Sequence, residues 1–278
     1  MTKPPDSWFR RFLATLIPAR HAANSANGPQ TVFRMTPQLT DPDTLMVEYT
    51  QTRKVAASKA TWLDNKIIAW DNSHPVSGRI DILRTLVMRK MEANNWRTMA
   101  VISPTPGAGK SFVAVNLAIS LAQNPNKSVM LVDFDLRRPQ VAAKLGLSCE
   151  KTLLDYLTGK SDLAGVLVNP GIPRLVVAPV CKGVANASEL LSHKQVTRMI
   201  QDVRDRYDSR VVIFDLPPML SIDDALIILP HIDCALLVLG DGEHTSAEIE
   251  ETVRLLGDTG LVGMVVNRSQ ANLKVEGY

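Results

Sequence analysis

Six short apolar runs, at 99–102, 129–132, 175–178, 211–214, 235–239 and 261–266, alternate with stretches of helical character from Thr98 onward. They are rich in Val, Ile and Leu and do not alternate with polar residues, which is the pattern of strands covered on both faces. Such strands with helices between them predict a doubly wound, mostly parallel α/β sheet, spanning about 78–270. Any ligand site in such a sheet belongs at the carboxyl ends of the strands.

The first run ends in Ser103-Pro-Thr-Pro-Gly107, where neither a helix nor a central strand can continue. Gly109-Lys110-Ser111 then opens an apolar stretch to Ala122, long enough for a buried helix. Strand, glycine-bearing loop, Lys-Ser and helix are the parts of a phosphate cradle. Backbone N–H groups and the helix N-terminus face the anion, the lysine reaches the outer phosphates, and the serine hydroxyl takes Mg²⁺. The strict pattern places glycine six residues before the lysine, and here Pro104 stands there.

Two further strand ends carry acids. The run at 129–132 leads into Asp133-Phe-Asp135-Leu-Arg137-Arg138-Pro139, and the run at 211–214 ends in Asp215-Leu-Pro-Pro218. Phosphoryl transfer needs Mg²⁺ held by oxygen ligands and a group that orients the nucleophile, and an acid beside the phosphate loop serves either role. A single strand-ending aspartate more often caps the following turn. Two of them beside a Gly-Lys-Ser loop turn the balance toward a nucleotide–Mg²⁺ site.

These segments resemble the Walker A, A′ and B motifs of the bacterial tyrosine kinases, cytosolic P-loop proteins that regulate capsule and exopolysaccharide synthesis and export. The likeness continues through Asp223-Asp-Ala-Leu, Asp233-Cys-Ala-Leu-Leu-Val-Leu and Val262 to Arg268, so it covers about 80–270. It implies a P-loop NTPase of the deviant Walker, partitioning-ATPase-like type, with ATP and Mg²⁺ as cofactors. In that family Pro104 is unremarkable. Carried over by position, Pro106, Gly107, Ala108, Gly109, Lys110, Ser111 and Phe112 wrap the phosphates. Ser111, Asp133 and Asp215 hold the metal, and Asp133 and Asp135 share metal contact and orientation of the acceptor hydroxyl. Asn267 and Arg268 reach the adenine, and Arg137 or Arg138 neutralises transition-state charge unless it forms a plain salt bridge.

The sequence departs from the family in three places. The four tyrosines, Tyr49, Tyr156, Tyr207 and Tyr278, form no C-terminal cluster; Tyr156 and Tyr207 read as packing positions, which argues against efficient clustered autophosphorylation. The assembly helix, Glu-x-x-Arg-x-x-Arg in the family, reads Asp81-Ile-Leu-Arg84-Thr-Leu-Val87, so homo-oligomerisation would rest on Arg84. No membrane-spanning activator is fused to the sequence, so a separate membrane-embedded polysaccharide co-polymerase is the expected partner. Kinase activity therefore stands beside two alternatives: a partitioning or septum-site ATPase, and an ATP-bound switch. Thr105 occupies the position where the ATPases carry a second lysine, which counts against them.

Ahead of this domain, Trp8, Phe9, Phe12, Leu13, Leu16 and Ile17 fall on one helical stripe, with Arg10 and Arg11 off it and Pro18 as the stop. An amphipathic helix over 1–18 is expected, resting on a membrane surface or packing on its own domain. Residues 19–77 read as a linker and an unassigned segment, and 271–278 as a tail. Within 1–40, five basic residues face Asp6, a balance of +4, so the rest of the chain carries −1 of the net +3. The net charge is too small to argue for nucleic acid, and none is expected, although the basic tail and amphipathic helix keep the partitioning-ATPase alternative open. Three widely spaced cysteines fit a reducing cytosol with no disulfide framework. The expected location is the cytoplasm, at the cytosolic face of the inner membrane.

Overall fold

The computed structural model describes residues 14–16, 52–55 and 57–269. Its strands are β1 (Ala14–Leu16), β2 (Arg53–Lys54), β3 (Thr98–Ile102), β4 (Ser128–Asp133), β5 (Val168–Asn169), β6 (Leu175–Ala178), β7 (Arg210–Asp215), β8 (Cys234–Gly240) and β9 (Gly260–Asn267). They form one sheet in the order β1-β9-β8-β3-β7-β4-β6-β5-β2. Every neighbouring pair runs parallel except β5 and β6. The expected doubly wound sheet is present, and all six apolar runs are strands within it.

Alternate residues of each central strand feed two separate cores. Met99, Val101, Leu131 and Ile213 pack under α1 (Lys59–Asp64), α2 (Ser77–Ala93), α3 (Lys110–Ala122) and α4 (Val141–Leu145). Ala100, Ile102, Val132 and Phe214 face the opposite layer. That layer comprises α5 (Leu153–Leu157), α6 (Leu163–Val166), α7 (Ala187–Leu191), α8 (Lys194–Asp205), α9 (Asp224–Ile228) and α10 (Ser246–Leu255). Burial on both faces explains why no polar residue interrupts β3.

Three expectations are corrected. Residues 59–76, read as unassigned, belong to the domain core: Trp62 and Ile67 are buried, and Trp62 Nε1 donates to Leu145 O at 3.0 Å. Asn116, polar in the middle of α3, accepts from Ile68 N at 2.8 Å and Ala69 N at 3.1 Å. Buried backbone N–H groups need such a partner, and a segment satisfied by one side chain has no period to read. Residues 14–16, assigned to the end of an amphipathic helix, instead pair with β9 as a parallel strand. There they occupy an otherwise open sheet edge; the rest of that helix, the linker and the tail lie outside the described residues.

The third correction concerns the cysteines. Cys149 and Cys181 form a disulfide, their Cα atoms 6.1 Å apart. Sequence spacing does not report that the loops after α4 and β6 meet. Cys234 is a buried free thiol. Among the described residues, no helix is long and apolar enough to cross a membrane. Arg84 lies against its own domain: its guanidinium pairs with Asp81 at 3.0 Å and donates to Ser120 O and Ser120 Oγ at 3.2 Å.

Candidate nucleotide site

The loop between β3 and α3 turns on two glycines. Gly107 and Gly109 have φ of +99° and +92°, a region that costs any residue with a Cβ. At Gly109 the close approach is double, because a Cβ there would run into Asn267 Nδ2. α3 therefore starts at Lys110 with its first N–H groups turned toward the loop. The α3 N-terminus opens into a cavity of about 490 Å³ lined by Pro106, Gly107, Gly109, Lys110, Ser111, Asp135 and Arg137. Ala108 and Phe112 are buried.

The loop is braced from the β8–β9 side. Asn267 Nδ2 donates to Ala108 O at 2.9 Å, and the Arg268 guanidinium donates to Gly107 O while pairing with Glu243 at 2.7 Å. His244 Nδ1 accepts from Gly240 N at 3.3 Å, which leaves Nε2 to carry the proton toward Thr105 Oγ1 at 3.1 Å. Asn267 and Arg268, expected at the adenine, thus hold the loop's outer carbonyls. Glu243 and His244 escaped the sequence reading, although a loop directly after a strand's carboxyl end was the place to look.

The acids stand on the other side. Asp133 and Asp215 are register partners at the ends of β4 and β7, both with no solvent exposure. Asp133 Oδ2 accepts from Gln140 N at 3.2 Å and Val141 N at 3.0 Å, so one oxygen does cap the start of α4. Asp133 Oδ1 and both Asp215 oxygens are buried without a well-formed hydrogen bond, the Ser111 hydroxyl being the polar group near Asp215. Burial, with the Asp215 charge second, holds the Asp133 carboxyl well above the usual range. Burial likewise pushes Asp215 up to about 6, against the pull of the Lys110 ammonium and the Ser111 hydroxyl. Burial also raises Asp135, whose Oδ1 accepts from Arg138 N at 3.0 Å.

Buried carboxylate oxygens without partners are costly unless something pairs with them. Among the described residues no three His, Cys, Asp or Glu side chains form a metal-holding group. Two acids and a serine beside a phosphate cradle therefore suit Mg²⁺, which keeps waters and takes phosphate oxygens, better than an ion caged by protein alone.

Arg137 forms the salt bridge that was one of its two expected readings. Its Nε and Nη2 donate to Asp224 at 2.7 and 3.1 Å, its Nη2 to Ser188 Oγ at 2.8 Å, and its Nη1 to Ala185 O at 2.7 Å. The guanidinium is committed to α7 and α9, so of the two readings the salt bridge is the one formed. Arg138 is the exposed cation lining the cavity.

A model of the AAA domain family matches residues 96–239. The chain belongs to this family. Curated relatives that it matches include proteins named tyrosine-protein kinases, in keeping with the resemblance carried by the three motifs. Tyrosine-protein kinase ptk of Acinetobacter johnsonii is 30% identical over 207 residues, covering 73% of this chain and 28% of the relative. Tyrosine-protein kinase etk of Escherichia coli K12 is 31% identical over 206 residues, covering 72% and 28%. The chain thus spans little more than a quarter of the length of these relatives. Tyrosine-protein kinase CpsD of Streptococcus agalactiae, 29% identical, is matched over 65% of this chain and 79% of its own length.

Among solved structures, the kinase domain of Escherichia coli tyrosine kinase ETK superposes with a TM-score of 0.68 at 26% identity, covering 81% of this chain and 91% of that one. The septum site-determining protein MinD of Pyrococcus horikoshii, complexed with Mg-ADP, shares the fold at a TM-score of 0.55 and 21% identity, covering 63% and 71%.

Proposed function

We propose that this chain is an ATP- and Mg²⁺-dependent protein-tyrosine kinase acting in exopolysaccharide or capsule synthesis and export. The observation that carries the reading is the buried Asp133–Asp215 pair at paired strand ends, with the Lys110 ammonium and the Ser111 hydroxyl close enough to Asp215 to favour its charged form. In this reading the loop N–H groups from Gly107 to Ser111 take the β- and γ-phosphates, and Lys110 neutralises charge on the transferring group. Ser111, Asp133 and Asp215 are the groups that would hold Mg²⁺, which when bound offsets negative charge on the phosphate oxygens. Asp135, within the cavity and raised by burial, accepts the acceptor's hydroxyl proton. Asn267 and Arg268 keep the loop in place on the adenine side, and Arg137 positions the Asp135 segment.

A membrane-embedded polysaccharide co-polymerase as activating partner, self-assembly through the Arg84 helix, surface attachment through Trp8–Ile17 and a place at the cytosolic face of the inner membrane belong to the same proposal. Incubation of the chain with labelled ATP and Mg²⁺, with and without the membrane fraction, followed by phosphotyrosine detection, is the test. Phosphotyrosine that disappears in Lys110→Met is the expected result. Phosphate release with no phosphotyrosine under any condition would leave an ATPase instead.

A further inference from the structure

Two tyrosines lie among the described residues, and they differ in setting. Tyr156, on α5, is partly covered, and burial raises its hydroxyl. Tyr207, read from sequence as a packing position, is 50% exposed on the turn between α8 and β7. The backbone of that turn is fixed. Arg210 N donates to Tyr207 O at 3.1 Å, Ser128 N donates to Ser209 O at 3.1 Å, and Arg97 pairs with Asp208 at 3.0 Å. A clamped turn therefore presents an aromatic side chain to water, where burial would stabilise it better.

The surroundings suit a phosphate. Arg204, Arg206 and Arg210 fall within three residues of Tyr207, and the Arg210 guanidinium carbon lies 4.2 Å from its ring centroid. A phosphoryl group on the ring would bring a charge of about −1.5 to −2 and three acceptor oxygens to the turn where Arg210 lies over the ring, while Arg204 is held by Asp233 at 3.1 Å. The exposed acids Asp205 and Asp208 flank the tyrosine, and exposed Arg138 lines the cavity such a segment would enter.

We propose that Tyr207 is a phosphoacceptor of this chain, modified by a second copy. This rests on the kinase reading above. The turn precedes β7, whereas the site lies at the far end of that six-residue strand, on the order of 20 Å away. A copy therefore cannot reach its own Tyr207. In the transfer, Tyr207 Oη bonds to the γ-phosphorus of ATP as the bond to the β,γ-bridging oxygen breaks. The phenolic proton goes to Asp135 of the donating copy, and ADP leaves.

The test mixes wild-type chain with a mass-tagged Lys110→Met chain, ATP and Mg²⁺, and maps phosphotyrosine by mass spectrometry. Phosphate on Tyr207 of the tagged chain, at a rate rising with wild-type concentration, is the expected result. Tyr207→Phe, which keeps the ring against Arg210, should lower total phosphotyrosine at least twofold with the affinity for ATP unchanged. Phosphotyrosine at other positions with Tyr207 unmodified overturns this assignment alone. No phosphotyrosine in any mixture overturns the kinase reading and the assignment together.

Discussion

Asp133 and Asp215 occupy directly paired positions at the ends of two neighbouring parallel strands, and neither has any solvent exposure. The fold thus holds two acids side by side and leaves three of their oxygens without a well-formed hydrogen bond. Such an arrangement weakens the metal-free protein. Asp215→Asn removes one charge from the pair and should stabilise the metal-free chain. The lift of Asp215 from 3.8 to about 6 sets the scale, on the order of 3 kcal/mol at neutral pH. Thermal unfolding should show a Tm higher by several degrees together with loss of the extra stabilisation by Mg-ATP. A lower Tm without metal would contradict this account of the pair.

The same group gives a pH dependence of defined sign. Unfolded, the Asp215 carboxyl ionises near its ordinary 3.8, while folded it keeps its proton up to about 6. The folded state therefore binds more protons between these values, and stability from this group falls as pH rises from about 4 to about 6. Above that window the loss is complete and the curve flattens. The difference between wild type and Asp215→Asn in unfolding free energy, measured metal-free from pH 4 to 7.5, should grow across this window and then level off. Mg²⁺ binding should strengthen over the same range, because the metal displaces the proton.

Arg137 and Asp224 give an asymmetric prediction. Asp224 is fully buried, whereas a third of the Arg137 side chain reaches solvent. Removing the arginine strands a buried carboxylate; replacing the acid by a neutral amide leaves a cation that can turn to water. Arg137→Ala should therefore lower Tm more than Asp224→Asn. Both should slow turnover, since Arg137 fixes the loop that carries Asp135. Equal Tm losses would mean that Asp224 tolerates ionisation without its partner.

The positions of the glycine loop after β3 and of the strand-ending acids were legible because each is short, local and tied to a strand terminus. The sheet was legible because double burial writes uninterrupted apolar runs. What escaped depended on long-range partners. Residues 59–76 are ordered by Asn116 and Leu145, tens of residues away, and no periodicity records that. His244 and Glu243 gain meaning only when β8 and β9 fold beside the loop. Arg137 carried two chemically sound readings in sequence, and the position of Asp224 chose between them.

The Cys149–Cys181 bridge closes 32 residues of chain next to the site. The loop it anchors also supports the A′ segment, because Val184 N donates to Leu136 O at 2.9 Å and Ala185 O accepts from Arg137. A loop of that length corresponds to about 4 kcal/mol of stabilisation in the chain-entropy account. Cys181→Ser should lower Tm by several degrees under oxidising conditions and have little effect in dithiothreitol. A Tm difference that persists in reductant would assign the effect to packing of the side chain.

Gly109 tests how the loop and its brace depend on each other. Alanine there must adopt a φ of +92° and must displace Asn267, whose amide holds Ala108 O. The strained backbone alone costs about 1–2 kcal/mol, and the displaced amide leaves a buried carbonyl unpaired. Gly109→Ala should weaken nucleotide binding at least tenfold and lower Tm. Asn267→Ala alone loses the brace but introduces no clash. In the double variant the clash is gone while the backbone strain remains, so the combined loss in stability should be smaller than the sum of the two single losses. Calorimetric titration with ATP and thermal unfolding of all four proteins measure both quantities. Strict additivity would show that Asn267 does not report on the geometry of Gly109, and the brace from the end of β9 would then have no part in shaping the phosphate loop.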